Sequence, residues 1–141
     1  MSGLTIEIEG IRDMVAEIRA AGVEAIRKAE DAVNGTTLKV QTSAIRRIQG
    51  GPKTGITYDK SNPNRTHQAS APGESPATDT GILVSSIETD IKGLTGYVFT
   101  RVDYGAYLEF GTSKILARPW LNPALEENAG YFEDQLSRIL E

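Results

Sequence analysis

An apolar stripe at helical spacing runs from Ile11 to Ile48 and constrains the fold more than any other feature of this sequence. Charged residues fill the positions between the apolar ones, a pattern that predicts an amphipathic helix. Asn34-Gly35 is a helix stop signal, so either one helix continues through residues 34–37 or two helices meet there. We favour one long helix, with room for a bend, that ends near Gln49. The apolar surface of this helix is larger than a single strand could cover, which indicates a sheet. The middle of the stripe is rich in alanine and glycine, which predicts that another element packs closely there.

Strand-like segments flank this helix. Leu4–Ile8 alternates apolar and polar residues, the pattern of a half-buried strand. Residues 83–91 are compatible with a second strand, and 97–102 is rich in β-forming residues and follows a glycine-containing turn. Apolar residues at helical spacing return from about Trp120 onward. The sequence therefore predicts an α+β fold in which a long N-terminal helix and a C-terminal helix pack on a small, mainly antiparallel sheet.

A polar segment of about residues 50–78 separates the long helix from the later strands. Proline, glycine, serine, threonine and asparagine predominate in it, and apolar residues are nearly absent. Such a segment has little to bury, so we predict a long flexible loop within a single domain of residues 1–141. We expect this loop to be mobile in the free protein and to become ordered only on assembly.

Charge is distributed unevenly along the chain. A basic region carries six positive residues against Asp59: Lys39, Arg46, Arg47, Lys53, Lys60 and Arg65. The C-terminal tail carries five negative residues against Arg138: Glu126, Glu127, Glu133, Asp134 and Glu141. The sequence therefore predicts one basic patch and one acidic end on the same molecule.

The stretch from Tyr104 to Leu125 concentrates aromatic residues, which bury more surface per residue than other types. It predicts a short helix at 104–110, ended by Gly111 in a left-handed conformation, then a loop at 111–118 and a helix from about 120. We predict that Trp120 anchors the C-terminal helix to the sheet. The alternative is that Trp120 is exposed in the monomer and anchors a neighbouring subunit.

Composition excludes several kinds of site. The chain has no cysteine and one histidine, which excludes disulfides, thiolate metal sites and multi-histidine metal sites, and we expect no cofactor. A net charge of -4 is not that of a protein that coats nucleic acid. Charged residues near the N-terminus argue against a signal peptide, and no apolar run reaches the length of a membrane span. Glu109 with Asp103, and His67, are weak catalytic candidates that we interpret as solvent-exposed residues.

Five segments together resemble a known family. They are His67–Ala77, Asp79–Leu83, Ser86-Ile87, Tyr104–Thr112 and Ala117–Ala124. In this order and spacing they are similar to the tail-completion, or neck, proteins of long-tailed lambdoid bacteriophages, the tenth-gene-product family of the HK type. The likeness covers residues 67–125, and the long helix before it also fits. Gly105, where an alanine is more usual, and the polar insert at 50–66 depart from the family pattern.

The resemblance implies a structural virion protein and not an enzyme. Members work at the head–tail junction, where subunits form a ring around the channel through which DNA passes. The implied partners are other copies of the chain, the head-closure or connector proteins, and the tail-terminator or tail-tube proteins. The implied location is the virion, after assembly in the bacterial host cytoplasm, with no membrane and no sequence-specific DNA binding.

Eleven residues are the candidate contacts of such an assembly: Arg46, Arg47, Lys53, Lys60, Arg65, Gly111, Thr112, Ser113, Lys114, Glu126 and Glu127. The first five belong to the basic region, the next four to the loop after the aromatic helix, and the last two to the acidic end. Two other functions stay open. One is a nucleic-acid-binding module that uses residues 39–65, although only Tyr58 offers a ring for base stacking. The other is a hydrolase that uses Glu109, Asp103 or His67.

Overall fold

The computed structural model describes the backbone of residues 4–8, 15–61, 64–77 and 81–139, and their side chains from residue 16 onward. Its helices are α1 (Val15–Ala20), α2 (Val23–Gly50), α3 (Ile82–Ser86), α4 (Asp103–Phe110) and α5 (Asn122–Ile139). Its strands are β1 (Leu4–Ile8), β2 (Thr57–Lys60), β3 (Arg65–Gln68), β4 (Glu88–Lys92) and β5 (Thr95–Thr100). The predicted α+β class is confirmed.

The main sheet is antiparallel and has the strand order β1-β5-β4, so the central strand is the last one in the chain. Ile6 lies opposite Val98, and Thr89 lies opposite Val98 on the other side. Alternate residues of β5 are buried, as expected for a strand with one covered face. Helix α2 covers that face, and its Gln41 side chain donates a hydrogen bond of 3.0 Å from Nε2 to the Ile87 carbonyl oxygen.

One cluster of buried apolar side chains forms the core, and α2 contributes its largest share. Helix α5 packs along α2 on the side of its small residues. A Cβ atom added at Gly35 would lie 3.1 Å from the Tyr131 hydroxyl oxygen, so the close neighbour predicted for the middle of the stripe is α5. The buried α2 side chains are Ala25, Ala29, Ala32, Val33, Thr36, Thr37, Val40, Ala44 and Ile48.

The long helix is interrupted, but not at the predicted weak point. Helix α2 runs without a break through Asn34-Gly35, which confirms the single-helix interpretation there. The interruption is at Gly22, whose φ of 103° is incompatible with a helix and is readily adopted only by glycine. Burial of α2 against the sheet and α5 outweighs the poor helix propensity of residues 34–37. The part of the predicted helix at 11–14 lies outside the described residues.

The predicted strand at 83–91 is wrong in its first half. Residues 82–86 form α3, and only Glu88–Lys92 is a strand. The Ser85 hydroxyl donates to the Gly81 carbonyl at 2.8 Å and the Ser86 hydroxyl donates to the Leu83 carbonyl at 2.7 Å. These bonds along one helical turn are local alternatives to strand pairing.

The polar segment 50–78 contains an element that the sequence does not reveal. Strands β2 and β3 form a separate two-stranded antiparallel hairpin within it, with Tyr58 opposite His67 and Lys60 opposite Arg65. No residue of either strand is fully buried. Mobility of the segment 50–78 in the free protein stays a prediction. It agrees with the marginal stability of isolated two-stranded hairpins.

Candidate interaction surface

Helix α4 buries its glycine and its glutamate and exposes its aromatic residues. Gly105 and Glu109 are buried, whereas Tyr104, Tyr107 and Phe110 are exposed, and Phe110 keeps 71% of its surface in water. Burial statistics predict the opposite arrangement, because aromatic residues are usually inside and glutamate is almost never buried without partners. The aromatic residues that the sequence concentrates here are therefore divided between a core, at Trp120, and a surface.

Gly105 explains how α4 is oriented. A Cβ atom at this position would lie 2.7 Å from Thr100 Cγ2 and 3.4 Å from Trp120 Cζ2, so the α4 backbone is in close contact with β5 and the indole ring. Trp120 is 0% exposed, and its Nε1 donates a hydrogen bond of 2.9 Å to the Gly105 carbonyl oxygen. The predicted burial of Trp120 is confirmed, and its exposure in the monomer is contradicted. Only the small residue on the inner face of α4 allows this approach, and it turns the rings outward.

Glu109 has a structural role that the sequence analysis missed. Its Oε1 accepts hydrogen bonds from the backbone N–H groups of Leu121, at 2.6 Å, and Asn122, at 2.7 Å. These donors lie at the start of α5, where the first N–H groups of a helix lack partners within it and the helix dipole favours negative charge. The interpretation of Glu109 as solvent-exposed is wrong, because it is only 5% exposed and caps a helix from another segment.

The loop after α4 is a tight turn with free side chains. Gly111 has a φ of 77°, the positive φ expected from the sequence, and its N–H donates to the Tyr107 carbonyl at 2.8 Å. The Thr112 Oγ1 accepts hydrogen bonds from the N–H groups of Lys114, at 3.1 Å, and Ile115, at 3.2 Å. Ser113 and Lys114 are exposed at its tip. The backbone of the loop is therefore fixed while its tip stays accessible.

Five exposed apolar residues of α4 and this loop form a candidate surface, which we call the aromatic patch: Tyr104, Tyr107, Phe110, Ile115 and Leu116. The loop folds back on the end of α4, since the Arg118 N–H donates to the Leu108 carbonyl at 2.6 Å. With about 200 Å² per large side chain, the patch leaves roughly 500 Å² of apolar surface in water. The largest apolar patch of a typical monomer has about this size and is often functional.

The basic patch and the acidic end predicted from the sequence meet within one molecule. Arg47 at the end of α2 forms an ion pair of 3.1 Å with Glu127 of α5. Arg46 lines a shallow cleft beside this pair, and Glu126 accepts a 3.3 Å hydrogen bond from Asn122 Nδ2. The expectation of two separate charged surfaces is therefore corrected at this point, because α2 and α5 are neighbours in the fold.

Lys53 anchors the base of the hairpin and is not an accessible charge. Its Nζ donates hydrogen bonds to the carbonyl oxygens of Arg47, at 3.0 Å, and Ser75, at 2.9 Å. Burial lowers the pKa of Lys53 below its ordinary value of 10.5, and the nearby Glu74 carboxylate offsets part of this shift. Among the eleven candidates, Lys53 therefore serves the fold, whereas Lys114 and its neighbours lie beside the aromatic patch.

One face of the hairpin combines apolar and basic residues, and we call it the hairpin face. Side chains alternate across a strand, so Tyr58 and Lys60 share a face with His67 and Arg65, their partners on β3. Ile56, two residues before Tyr58, is exposed and extends this face, and the Lys60 ammonium lies 5.6 Å from the centre of the Tyr58 ring. Lys60 and Arg65, predicted as contacts, are thus brought together with apolar surface.

Glu74 holds the base of the hairpin by hydrogen bonds. Its carboxylate accepts hydrogen bonds from the backbone N–H groups of Thr54, at 2.9 Å, and Ala71, at 2.6 Å. These bonds hold the pKa of Glu74 below its ordinary value of 4.5, and the bond from Thr54 has the largest effect, followed by the bond from Ala71. The stabilisation that this group provides is complete above pH 4.5 and is lost as the pH falls through the lowered pKa.

We expect amides 53–70 of the free protein to be much less protected from exchange than those of α2. Glu74→Gln should reduce the remaining protection of β2 and β3 at pH 7, and the native chain should lose it as the pH falls from 4.5 through the lowered pKa of Glu74. Exchange measured by mass spectrometry at both pH values, with Glu133→Gln on exposed α5 as the control, tests this. Strong protection across Lys53–Ser70 in the isolated protein, or no effect of the Gln substitution, contradicts it.

No protein-family model, curated protein or solved structure matches this chain. Within the described ranges, no helix is both long and apolar enough to cross a membrane. The same residues contain no group of three His, Cys, Asp or Glu side chains that could hold a metal ion. The candidate site is therefore described by its surface: the aromatic patch, the turn beside it and the hairpin face.

Proposed function

We propose that this chain is a structural protein of a bacteriophage head–tail junction, which forms a ring around the DNA channel and joins the tail to the head. The aromatic patch carries the proposal. Its three aromatic residues lie in Tyr104–Thr112, one of the five segments that resemble the tail-completion family, and the patch leaves apolar surface in water that a partner could cover. Its partners are other copies of the chain and the connector and tail proteins on either side.

The fold is suited to such a role. The Trp120 and Glu109 contacts fix α4 and α5 relative to each other, so the aromatic patch is held on a rigid base. Rigid presentation reduces the entropy lost on binding and so favours association. A closed ring requires each subunit to use two unlike surfaces, one for each neighbour. DNA passes through such a ring without any base-specific contact.

The nucleic-acid-binding module remains the second candidate because the hairpin face places Tyr58 beside basic residues. Several of the six positive charges counted in the sequence already have contacts within the chain, such as Arg47 with Glu127, Lys53 with backbone carbonyls and Lys39 with the Tyr131 ring. Binding of a short DNA duplex at low and at moderate salt separates the two candidates. A DNA-binding module loses affinity steeply between these conditions, whereas the proposed ring protein shows little binding at either.

The location of the chain in particles tests the proposal. Virions carrying an epitope-tagged copy and labelled with gold-conjugated antibody should show label at the neck between head and tail. Virions with an untagged copy are the control. Label at the distal tail tip or on the capsid faces, or a tagged protein absent from purified virions, counts against the proposed function.

Lys114→Glu should lower the yield of infectious particles by about tenfold or more while leaving the melting temperature nearly unchanged. Lys114 is exposed at the tip of the turn beside the aromatic patch, so reversing its charge disturbs a contact but no core packing. Lys28→Glu, the same charge change on the exposed side of α2, is the matched control. A large loss of stability with normal assembly reverses the assignment of this turn.

A further inference from the structure

We propose that the hairpin face of one copy covers the aromatic patch of the next copy. This inference rests on the proposed ring, and it names the two surfaces that would meet there. The first surface is the β2–β3 face with Ile56, Tyr58 and Lys60, and the second is the exposed side of α4 with the turn after it. Both belong to the described chain, and each exposes large apolar side chains: Ile56 and Tyr58 on the first surface, and the aromatic patch on the second.

The hairpin buries too little surface to be stable alone. Ile56 is 68% exposed, and no residue of β2 or β3 is fully buried. A lone two-stranded hairpin is at best marginally stable in water and usually requires a third strand or a helix to pack against. An apolar helical surface on a neighbouring copy supplies that missing layer.

The areas agree with what a specific contact requires. The aromatic patch leaves roughly 500 Å² of apolar surface exposed, and Ile56 with Tyr58 adds about 200 Å² from the hairpin. Since about 57% of a typical interface is apolar, these roughly 700 Å² correspond to a total of about 1,200 Å². That total is the lower limit of stable, specific interfaces. A pairing of two hairpin faces would bury far less.

Charges at the ends of the two surfaces are also complementary. Lys60 lies on the hairpin face beyond Tyr58, and Asp103 begins α4 one turn before Tyr107. Asp103 is exposed and forms no ion pair among the described residues. Opposite charges at the rim of an interface fix its register more than its affinity. We expect the hairpin to lie along α4 in the direction that places Lys60 nearest to Asp103.

The pairing explains how the chain could form a ring instead of a two-fold dimer. Each copy offers one hairpin face and one aromatic patch, so the contact is between unlike surfaces and leaves one of each free to continue. When the ring closes, every patch is covered. A contact between two aromatic patches would instead stop at two copies.

Cysteine cross-linking of purified full-length chains tests the pairing, because the native chain contains no cysteine. His67→Cys marks the hairpin face, Ser113→Cys marks the turn beside the patch, and Ser137→Cys on exposed α5 is the control. Pairs of variants are mixed at about 1 mM, where even a weak contact is substantially occupied, and treated with a short bismaleimide. We expect at least about tenfold more cross-linked heterodimer from the His67→Cys and Ser113→Cys pair than from the His67→Cys and Ser137→Cys pair. Adding Phe110→Asp to the Ser113→Cys chain should abolish this heterodimer.

Three results overturn the pairing. One is predominant cross-linking between two Ser113→Cys chains, which indicates contact of patch with patch. Another is no 67–113 product at about 1 mM. The third is a hairpin that cross-links to a maleimide-labelled DNA duplex in place of a second chain, which indicates a nucleic-acid surface. These experiments use the isolated chain, whereas gold labelling uses virions, so failure of the pairing and failure of the proposed location are separate outcomes.

Discussion

Replacing Trp120 with alanine should lower the free energy of unfolding by about 3–5 kcal/mol, the usual cost of truncating a fully buried large aromatic residue. The ring is 0% exposed and contacts the backbone of α4, and its Nε1 hydrogen bond to Gly105 would be lost with it. Domains of this size are stabilised by about 5–15 kcal/mol in total. If the native stability lies at the lower end of this range, the variant should be unfolded or nearly so at about 37 °C.

Urea denaturation followed by circular dichroism measures this cost. Tyr107→Ala is the matched control, since it removes an exposed aromatic residue from the same segment and should change stability by about 0.5 kcal/mol or less. Trp120 is the single tryptophan, so fluorescence reports on it directly. A blue-shifted, quencher-protected spectrum in dilute monomer is expected. A red-shifted spectrum that moves to the blue only on oligomerisation would show that Trp120 is an interface residue.

Replacing Glu109 with alanine should lower the free energy of unfolding by about 3–6 kcal/mol, because two hydrogen bonds to a charged acceptor are lost and each contributes about 1.5–3 kcal/mol. The two donors are the backbone N–H groups of Leu121 and Asn122 at the start of α5. Leu121 is fully buried, so its N–H cannot be satisfied by water without local opening.

Glu109→Gln separates the charge from the hydrogen bonds. It keeps one acceptor oxygen at the same position, and we expect roughly half of the loss seen with alanine. Glu126→Ala, which removes an exposed carboxylate just after the first turn of α5, is the control and should cost about 0.5 kcal/mol or less. Equal, small losses for all three substitutions would show that the contact with the α5 N-terminus does not stabilise the fold.

Much of the architecture follows from local patterns in the sequence. The alternation in Leu4–Ile8 predicts β1, and the apolar stripe predicts α2 through its weak point at Asn34-Gly35. Gly111 marks the end of α4 because few other residues adopt its positive φ. These features depend on neighbours within a few positions in the chain, which is the information that residue spacing contains.

The orientation of α4 could not be predicted, because it depends on contacts with distant segments. Gly105 is buried because Trp120 lies against it, and Glu109 is buried because it binds the start of α5. Aromatic residues concentrated in one stretch indicate either a core or an interface, and the structure places Tyr107 and Phe110 on the surface. Glu109 lies thirteen residues before the start of α5, so its role as a cap can be recognised only when the positions of both elements in the fold are known.

The charged candidates illustrate the same limit. Arg47 and Glu127 belong to regions of opposite charge that are far apart in the sequence, yet the packing of α5 along α2 brings them into an ion pair. Lys53 looks like a mobile charge in a polar loop, but its contacts with two carbonyl oxygens fix it. Charge counts locate the basic segment correctly and do not show which charges are already used by the fold.

Electron microscopy of particles assembled without this protein tests the central claim most directly. The proposed role in joining head to tail predicts DNA-filled heads and complete tails that accumulate separately, with attachment restored when the protein is supplied from a plasmid. The Lys114→Glu variant, supplied in the same way, should restore attachment poorly, and Lys28→Glu should restore it fully. Normal, infectious virions with heads joined to tails in the absence of the protein would contradict the account.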